Sequence, residues 1–449
     1  MNLLGRLLNV GRLFAFVLGY GLSGALVGGT LNRILVVEVG MSVAIVGLLF
    51  AVPLFISPLR AWFGYRSDSV TIAQLRREPY VLIGAFFSGL GVIIAALLLA
   101  GIGQATVLLT VGMFVAFLIH EIGRNLSHNA FQALVVEKFD GANRSRMLVV
   151  AEVITLLGLV MGAGLVSRSL AEYSANRLLS VTILLSVITF ALSFLGTFRA
   201  ETRGGQPTAQ AKQARTLTFR EALGQLALAD KQVRLFFVIV VFTIIGTLAQ
   251  DVLLEPFGGK VLKLPIAQTS SLTAFWGVGV MIAMLITGVV LVRFVGYLTI
   301  LRTGLMITVL VFVGIILVGI SGNAGMFRNI VLLMGLGTGL AGAGMLTAIA
   351  NFTTRIRAGL LMGVWGFAMI FGRSLGALGS GVIAQIGLAL TGDNTLVAYG
   401  IVFGIEAALL LTALILTTRL SIASASAIQE ASRLSQPESG LNAALGATD

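Results

Sequence analysis

The sequence predicts an all-α polytopic membrane protein, with twelve transmembrane helices in two pseudo-symmetric six-helix halves. Three observations support this prediction: an apolar composition, twelve apolar segments of membrane-spanning length, and a motif that occurs once in each half. Hydrophobic residues make up 57% of the 449-residue chain and charged residues only 11%, whereas soluble domains carry about 25% charged residues. The 55 glycines suit a membrane bundle, because small residues let helix backbones approach closely.

Twelve segments have about the 20 apolar residues that a helix needs to cross the hydrocarbon core. We number them spans 1 to 12. In the first half they cover 13–37, 41–64, 79–101, 105–137, 147–170 and 177–199, and in the second half 232–256, 266–292, 297–320, 326–350, 358–386 and 394–420. An open strand would leave backbone groups unpaired in lipid, so we predict that all twelve are helices.

The basic residues predict the orientation of the chain. Of the 30 Lys and Arg residues, 22 lie on the same side as the N-terminus, six on the opposite side and two within spans. Such an excess marks the cytoplasmic side, so both termini are expected there. It also accounts for the net charge of +12 without nucleic-acid binding. Residues 1–199 are expected to form the N-terminal half, 200–231 a cytoplasmic linker, 232–420 the C-terminal half and 421–449 a flexible tail.

The two halves share short motifs at nearly constant offsets of 217 and 211 residues. Gly29-Thr30-Leu31, followed by Glu38, matches Gly246-Thr247-Leu248, followed by Glu255. The pair Arg144 and Arg146 before span 5 likewise matches Arg355 and Arg357 before span 11. Parallel six-helix repeats joined by a central linker are the layout of the major facilitator superfamily.

Span 4 carries a polar run that is unusual for a membrane helix. It holds the only two histidines of the chain and five further polar residues: His120, Glu121, Arg124, Asn125, His128, Asn129 and Gln132. A charge at the bilayer centre costs at least about 2.5 kcal/mol, so such side chains face the protein interior and find partners. Glu121 and Arg124 lie one turn apart and can pair, and Glu152 in span 5 is another candidate partner. The group is either a proton-coupling site or a static charge network.

Span 11 carries a second buried charge, Arg373, near its middle. A guanidinium at that depth needs a carboxylate, a carbonyl or an anionic ligand, and Glu406 in span 12 is one candidate. Trp276 and Trp365 either stack on a flat ligand or pack between helices. With no cysteine, two histidines and no glycine-rich loop between a strand and a helix, we expect no catalytic triad, zinc site or nucleotide fold, and no enzyme activity.

Several stretches resemble the PucC/LhaA-type bacteriochlorophyll-delivery proteins, a branch of the major facilitator superfamily. They are Gly29 to Arg33 with Glu38, Pro58 to Ala61, Gly64 to Asp68, Arg76 to Tyr80, Ala133 to Glu137, and Gly359 to Gly366. The resemblance runs over most of residues 13–420. It implies a membrane carrier or assembly factor that binds (bacterio)chlorophyll non-covalently and delivers it to light-harvesting apoproteins or a reaction-centre complex. The resemblance also implies contacts with lipids and a pigment synthase, and a location in the bacterial inner or intracytoplasmic photosynthetic membrane.

The resemblance suggests roles for the polar residues. A chlorophyll magnesium takes an axial ligand, which an imidazole or a side-chain amide can supply. The candidate pigment-binding residues are therefore His120, Asn125, His128, Gln132, Arg373 and Trp365. Either histidine could instead brace the bundle through hydrogen bonds.

Spans 1 and 7 face each other in this superfamily, so Arg33 and Asp251 form a candidate outer gate, with Asn32 beside them. Asp68 is expected to influence the conformational equilibrium from the loop between spans 2 and 3. Two other functions stay open: a proton-coupled transporter of a small metabolite, and a constitutive pigment-binding subunit of a photosynthetic complex.

Overall fold

The computed structural model describes residues 3–52, 70–139, 141–201, 231–287, 294–352 and 358–420. Within these ranges, the side chains at 3–10, 136–137, 141–146, 148–149, 233, 349–352 and 358–367 are left undescribed. Eleven helices in the described ranges are long and apolar enough to cross a membrane, and Val43–Val52 adds a shorter apolar helix within span 2. The 2–3 loop with Asp68, most of the predicted linker and the tail lie outside the described residues.

The prediction of an all-α membrane protein is confirmed, and the described helices coincide with the predicted spans. Those of the first half are Leu3–Ala25 (continued by π-helical Leu26–Leu31 and Ile34–Glu38), Val43–Val52, Glu78–Ile102, Val107–Lys138, Gly141–Ser169 and Ala175–Thr197. Those of the second half are Lys231–Leu248 (continued by 3₁₀-helical Ala249–Val252 and α-helical Leu254–Lys260), Ile266–Ile286, Tyr297–Ser321, Ala324–Phe352, Ala358–Leu390 and Thr395–Thr417.

Local sequence signals set several helix ends. Thr106, Ser174 and Asn394 cap the N-termini of spans 4, 6 and 12, and each side chain accepts a hydrogen bond from the backbone N–H three residues later. These bonds satisfy one of the N–H groups that the first turn leaves free. Span 3 ends at Gly103, whose φ of 64° is left-handed and favours glycine.

Glycines bring neighbouring spans into close contact inside each half. A Cβ atom at Gly84 or Gly91 in span 3 would overlap the backbone of span 4, and one at Gly158 would overlap span 1. In the second half, Gly279 of span 8 meets the backbone of span 10 in the same way. The helices associate through small residues because lipid tails are as apolar as leucine side chains, so apolar bulk alone gives no preference for helix contacts.

In the described ranges, the two halves are joined by contacts between several pairs of spans. Span 2 meets span 11 where Gly47 lies against the carbonyl of Ala377. Span 5 meets span 8, where the Ser167 hydroxyl donates a 2.6 Å hydrogen bond to the carbonyl of Ala267. Spans 1 and 7 meet along the stretches where both depart from α-helical winding.

A reciprocal clamp joins the end of span 6 to the start of span 3. The Glu201 carboxylate accepts hydrogen bonds from the backbone N–H groups of Arg76, Arg77 and Glu78, at 2.9, 2.7 and 3.2 Å. In return, the Glu78 carboxylate accepts from the backbone N–H groups of Arg199 and Glu201. An anion on three N–H groups at a helix start is favoured by both hydrogen bonding and the helix dipole.

Candidate functional site

The polar run of span 4 divides between two faces of the helix. His120, Gly123 and Ser127 pack against span 3. Five of the remaining polar residues follow helical spacing along another face, and each is half-buried: Glu121, Arg124, Asn125, His128 and Gln132. We call these five residues the span 4 stripe. At Arg124 the stripe faces span 1, because the Arg124 guanidinium lies against Gly24.

Tyr20 of span 1 is the centre of the contact with the stripe. The Arg124 guanidinium carbon lies 3.8 Å from the centroid of the Tyr20 ring, a cation–π distance. The His128 imidazole stacks on the same phenol ring, with centroids 4.8 Å apart and an interplanar angle of 16°. Arg124 also donates to the carbonyl of Tyr20 at 3.3 Å. The structure therefore joins a cation, an imidazole and a phenol at one point of the interior.

The predicted ion pair between Glu121 and Arg124 is not formed among the described residues. Asn125 donates to the backbone carbonyl of Glu121 at 2.8 Å and to its carboxylate at 3.5 Å, while Arg124 turns toward Tyr20. Asn125, one helical turn away, thus hydrogen-bonds Glu121, and span 1 supplies the contacts of the Arg124 guanidinium. Glu152 is exposed and makes no ion pair within the described part of the chain.

His120 occupies a different environment from His128. It is only 2% exposed, and its Nδ1 lies 2.9 Å from the backbone carbonyl and 3.1 Å from the hydroxyl of Ser88 in span 3. A Cβ atom at Gly91 would overlap its backbone. This geometry favours the bracing role for His120 and leaves His128, on the half-buried stripe, as the histidine placed to meet a ligand.

Arg373 pairs with Asp251 of span 7, at 3.4 Å, rather than with Glu406. The Arg373 side chain is 60% exposed and that of Asp251 27%. Arg373 lies one turn from Gly376 and Ala377, which contact spans 7 and 2, so it faces the space between the halves. Glu406 is buried, and neither of its carboxylate oxygens has a hydrogen-bond partner among the residues that the structure describes.

A buried layer of side chains closes spans 1, 7 and 8 against one another. Asn32 donates to the carbonyls of Asp251 and Val252 at 2.9 and 2.8 Å. The Thr30 hydroxyl donates to that of Ser270 at 2.9 Å, and Arg33 donates to the carbonyl of Leu264 at 3.1 Å. We call these contacts the outer layer, because the charge distribution of the sequence assigns this end of the spans to the outside.

The outer layer contains the predicted gate residues but pairs them differently. Arg33 forms its ion pair with Glu38, at 2.5 Å, and Asp251 with Arg373. The π-helical winding of Ile34–Glu38 explains this result, because i→i+5 hydrogen bonding places residues five apart near each other. In the loop after span 5, burial and then the charge of Glu38 raise the pKa of the Tyr173 phenol.

Glu255 is a further acid of the outer layer that the sequence reasoning treated only as part of the repeat. Its side chain is 3% exposed; Oε1 accepts a 2.9 Å hydrogen bond from Thr273, and Oε2 is buried without a partner. The carboxyl fills the space opened by the missing side chain of Gly29. The shared Gly and Glu positions of the repeat therefore meet across the halves.

Tyr20 is the residue of the site that the sequence analysis missed. The available signal was its setting, a lone aromatic among Gly19, Gly21, Ser23 and Gly24. Two other predicted residues receive no geometry, because Asp68 and the Trp365 side chain are outside the described part. Among the residues described, no group of three His, Asp or Glu side chains could hold a metal ion.

The fold matches that of solved transporters. A point mutant of the nucleoside transporter NupG superposes with a TM-score of 0.69 at 15% identity, over 92% of this chain and 99% of its own. A bacterial homologue of the iron transporter ferroportin, in an inward-facing state, gives 0.68 at 14% identity, over 94% and 99%. At such identities the likeness shows the fold alone, which is that of the major facilitator superfamily.

Sequence relatives come from phototrophic bacteria. Protein PucC of Rhodobacter capsulatus is 30% identical over 90% of both chains. An uncharacterized protein encoded in the puhA-bchM intergenic region of that organism is 29% identical over 80% of this chain and 76% of its own. A bacteriochlorophyll synthase 44.5 kDa chain from it is 27% identical over 92% and 95%. The family profile described as PUCC protein matches residues 30–425, so the chain belongs to the PUCC protein family.

Proposed function

We propose that the chain is a membrane carrier or assembly factor that binds (bacterio)chlorophyll between its two halves and delivers it to light-harvesting or other photosynthetic complexes. The observation that carries this proposal is the meeting of Arg124, His128 and Tyr20 at one point of the interior. A macrocycle with one vacant metal coordination position takes one axial donor. His128 can supply that donor, and Tyr20 stacks on the imidazole and fixes its orientation.

Each half contributes one part of the proposed binding site. His128 supplies an imidazole for the pigment magnesium, and Tyr20, stacked on that imidazole, fixes its orientation. Asn125 and Gln132, on the same stripe, supply amides for the polar ring substituents. Arg373, exposed and held by one 3.4 Å contact to Asp251, is positioned to bind a carboxylate or carbonyl of the ligand. Binding thus couples the halves, as a carrier requires.

We infer that the chain acts by binding rather than by catalysis. The interior residues of the proposed site, Arg124, His128, Tyr20 and Arg373, serve to position a ring and an anionic group. One relative bears the name bacteriochlorophyll synthase 44.5 kDa chain, which fits a chain that accompanies pigment synthesis. The expected partners are a pigment synthase, antenna apoproteins and lipids, in a bacterial inner or photosynthetic membrane with both termini cytoplasmic.

The test is pigment binding by purified protein in nanodiscs. We expect wild type to bind bacteriochlorophyll a exchangeably, and His128→Leu to lose most of the bound pigment. His120→Asn is the matched control, because it retains a hydrogen-bonding group beside Ser88 and should bind as wild type does. Full binding by H128L would overturn the role of His128, and no binding by wild type would overturn the proposal. Pigment that never exchanges would indicate a constitutive subunit instead.

A transporter of a small anionic metabolite is a second candidate, supported by the exposed Arg373–Asp251 pair in the transporter fold. The two functions predict different effects of a substitution at Tyr20. In a pigment carrier, Tyr20→Leu removes the ring that orients His128, so less pigment binds, whereas a small anion depends on Arg373 and not on the orientation of an imidazole.

A further inference from the structure

The outer surface of spans 3 and 6 carries a group of phenylalanines that no proposed role uses. Phe86, Phe87, Phe190, Phe194 and Phe198 are between 38% and 54% exposed. We call these five residues the aromatic surface. Only one other phenylalanine in the described ranges, Phe294, is exposed. Exposed apolar residues are ordinary in a membrane protein, but their concentration as one residue type is not explained by contact with lipid tails.

The five rings lie on the same pair of helices in two contact groups. Phe86 contacts Phe87 and Phe190 edge to face, with centroids 5.7 and 6.4 Å apart. Phe194 lies one turn from Phe190 on span 6, and its ring centroid is 5.1 Å from that of Phe198. The two helices approach closely beneath the rings, because Gly89 lies against Ser186. A ligand lying there would contact both helices.

The internal repeat supplies a comparison within the same molecule. Spans 9 and 12 pack together as spans 3 and 6 do, and they occupy the equivalent place in the second half. Their exposed large apolar side chains are all aliphatic: Met306, Leu310, Val313, Leu317, Ile320, Val397, Ile401, Ile405, Leu411 and Ile415. Lipid covers either surface equally well, so the aromatic character of one surface points to an aromatic occupant.

A cation marks one end of the aromatic surface. The Arg199 guanidinium lies 5.3 Å from the Phe198 ring centroid, and the backbone of Arg199 is fixed by its hydrogen bond to Glu78. The charge distribution of the sequence assigns this end of spans 3 and 6 to the cytoplasmic side. The surface therefore fits a flat aromatic ligand that carries an anionic or carbonyl group at headgroup depth.

We propose that the aromatic surface is a second, lipid-facing binding site for a tetrapyrrole, whose macrocycle lies on the phenylalanine rings with an oxygen-bearing edge at Arg199. This inference rests on the proposed function and adds a position outside the bundle where pigment is received from, or released to, the membrane. Aromatic pairs are worth more than their buried area alone, so a macrocycle gains here what an acyl chain does not.

The test compares two triple variants in nanodiscs titrated with bacteriochlorophyll a. The first variant keeps the surface apolar and removes three rings, by Phe86→Leu, Phe190→Leu and Phe194→Leu. The matched control changes the equivalent aliphatic surface, by Leu310→Ile, Leu317→Ile and Ile415→Leu. We expect the first variant to bind one class of pigment at least about tenfold more weakly, with unchanged thermal stability. The control and H128L should retain that class.

A second measurement does not depend on the triple variant. Phe190→Trp places a fluorophore on the surface, and pigment should quench the added emission, whereas Ile405→Trp on span 12 should be quenched less. Equal affinity in both triple variants, or equal quenching in both tryptophan variants, overturns the lipid-facing site while leaving the interior site intact. Unchanged pigment titration with reduced binding of a purified single-span antenna polypeptide would also overturn it, in favour of a protein contact. No pigment binding by wild type would overturn both proposals.

Discussion

Spans 1 and 7 share the Gly-Thr-Leu motif, but their backbones adopt different helical windings there. Span 1 is underwound into π-helical turns at Leu26–Leu31 and Ile34–Glu38, whereas span 7 is overwound into a 3₁₀ turn at Ala249–Val252. Across the outer layer, span 1 donates side-chain hydrogen bonds and span 7 accepts them on backbone carbonyls. The repeat has thus kept its sequence positions while the two copies have become complementary.

The shared glutamates show the difference most clearly. Glu38 is partly exposed and pairs with Arg33 of its own span, while Glu255 is buried and accepts from Thr273 of span 8. One copy keeps its carboxyl at the membrane edge, and the other places it between the halves. Complementarity of this kind implies that equivalent substitutions in the two spans will have unequal effects.

The largest difference between equivalent substitutions in the two spans is expected for the side-chain amides of the outer layer. Asn32→Leu removes both donors to the Asp251 and Val252 carbonyls, which costs about 3 kcal/mol because buried carbonyls lose their partners. Gln250→Leu is the matched change in span 7, where the side chain bonds only to Thr247 and Asp251 of its own span, and should cost about 1 kcal/mol. The measurement is the free energy of unfolding in SDS titration.

Opening of the outer layer can be measured independently of the free energy of unfolding. The chain has no native cysteine, so Ala249→Cys introduces a single thiol at a buried position. We expect a membrane-impermeant maleimide to label it faster in the N32L background than in the Q250L background. Equal rates would show that Asn32 stabilises the fold without closing the outer layer.

A smaller inequality is expected for the shared glycines. Gly29→Ala forces a methyl group against the Glu255 carboxyl and the Thr273 hydroxyl, whereas Gly246→Ala meets chiefly the flexible end of Leu410. Overpacking should cost about 2 kcal/mol in the first case and about 1 kcal/mol in the second. The same SDS titration measures both, and a larger cost for G246A would contradict the assigned complementarity.

The smallest effect is expected for the partly exposed acid. Glu38→Gln removes the ion pair with Arg33 but leaves the hydrogen bond from Arg33 to Leu264, and should cost about 0.5 kcal/mol. Raising the salt concentration should narrow the difference from wild type, because partly exposed charges are screened. A loss above about 2 kcal/mol would instead mean that the pair is desolvated and holds the outer layer closed.

The sequence was sufficient for the fold because composition, span length and the repeat all depend on many residues at once. Pairing of individual charges was not predictable in the same way. Arg33 pairs with Glu38 because the helix is π-wound there, and nothing in the local residue types indicates that winding. Arg124 meets Tyr20, 104 residues away, and a tyrosine facing the interior has the same sequence signature as one facing the headgroups.

Helical spacing did not separate the two histidines of span 4 by role. His120 and His128 are eight residues apart, which places them about 80° apart around the helix, so both could border one groove. One meets Ser88 and the other Tyr20. Assigning each histidine its surroundings required the positions of spans 1 and 3.

The clamp between Glu201 and span 3 determines where the gene can be divided. If the halves are to be produced as separate polypeptides and reassembled, the first must include Glu201, because a chain ending earlier leaves three N–H groups of Arg76, Arg77 and Glu78 without their acceptor. A break placed after Glu201 retains the carboxylate on the helix start. The practical boundary of the first half is therefore set by a hydrogen-bonded glutamate beyond the last turn of span 6.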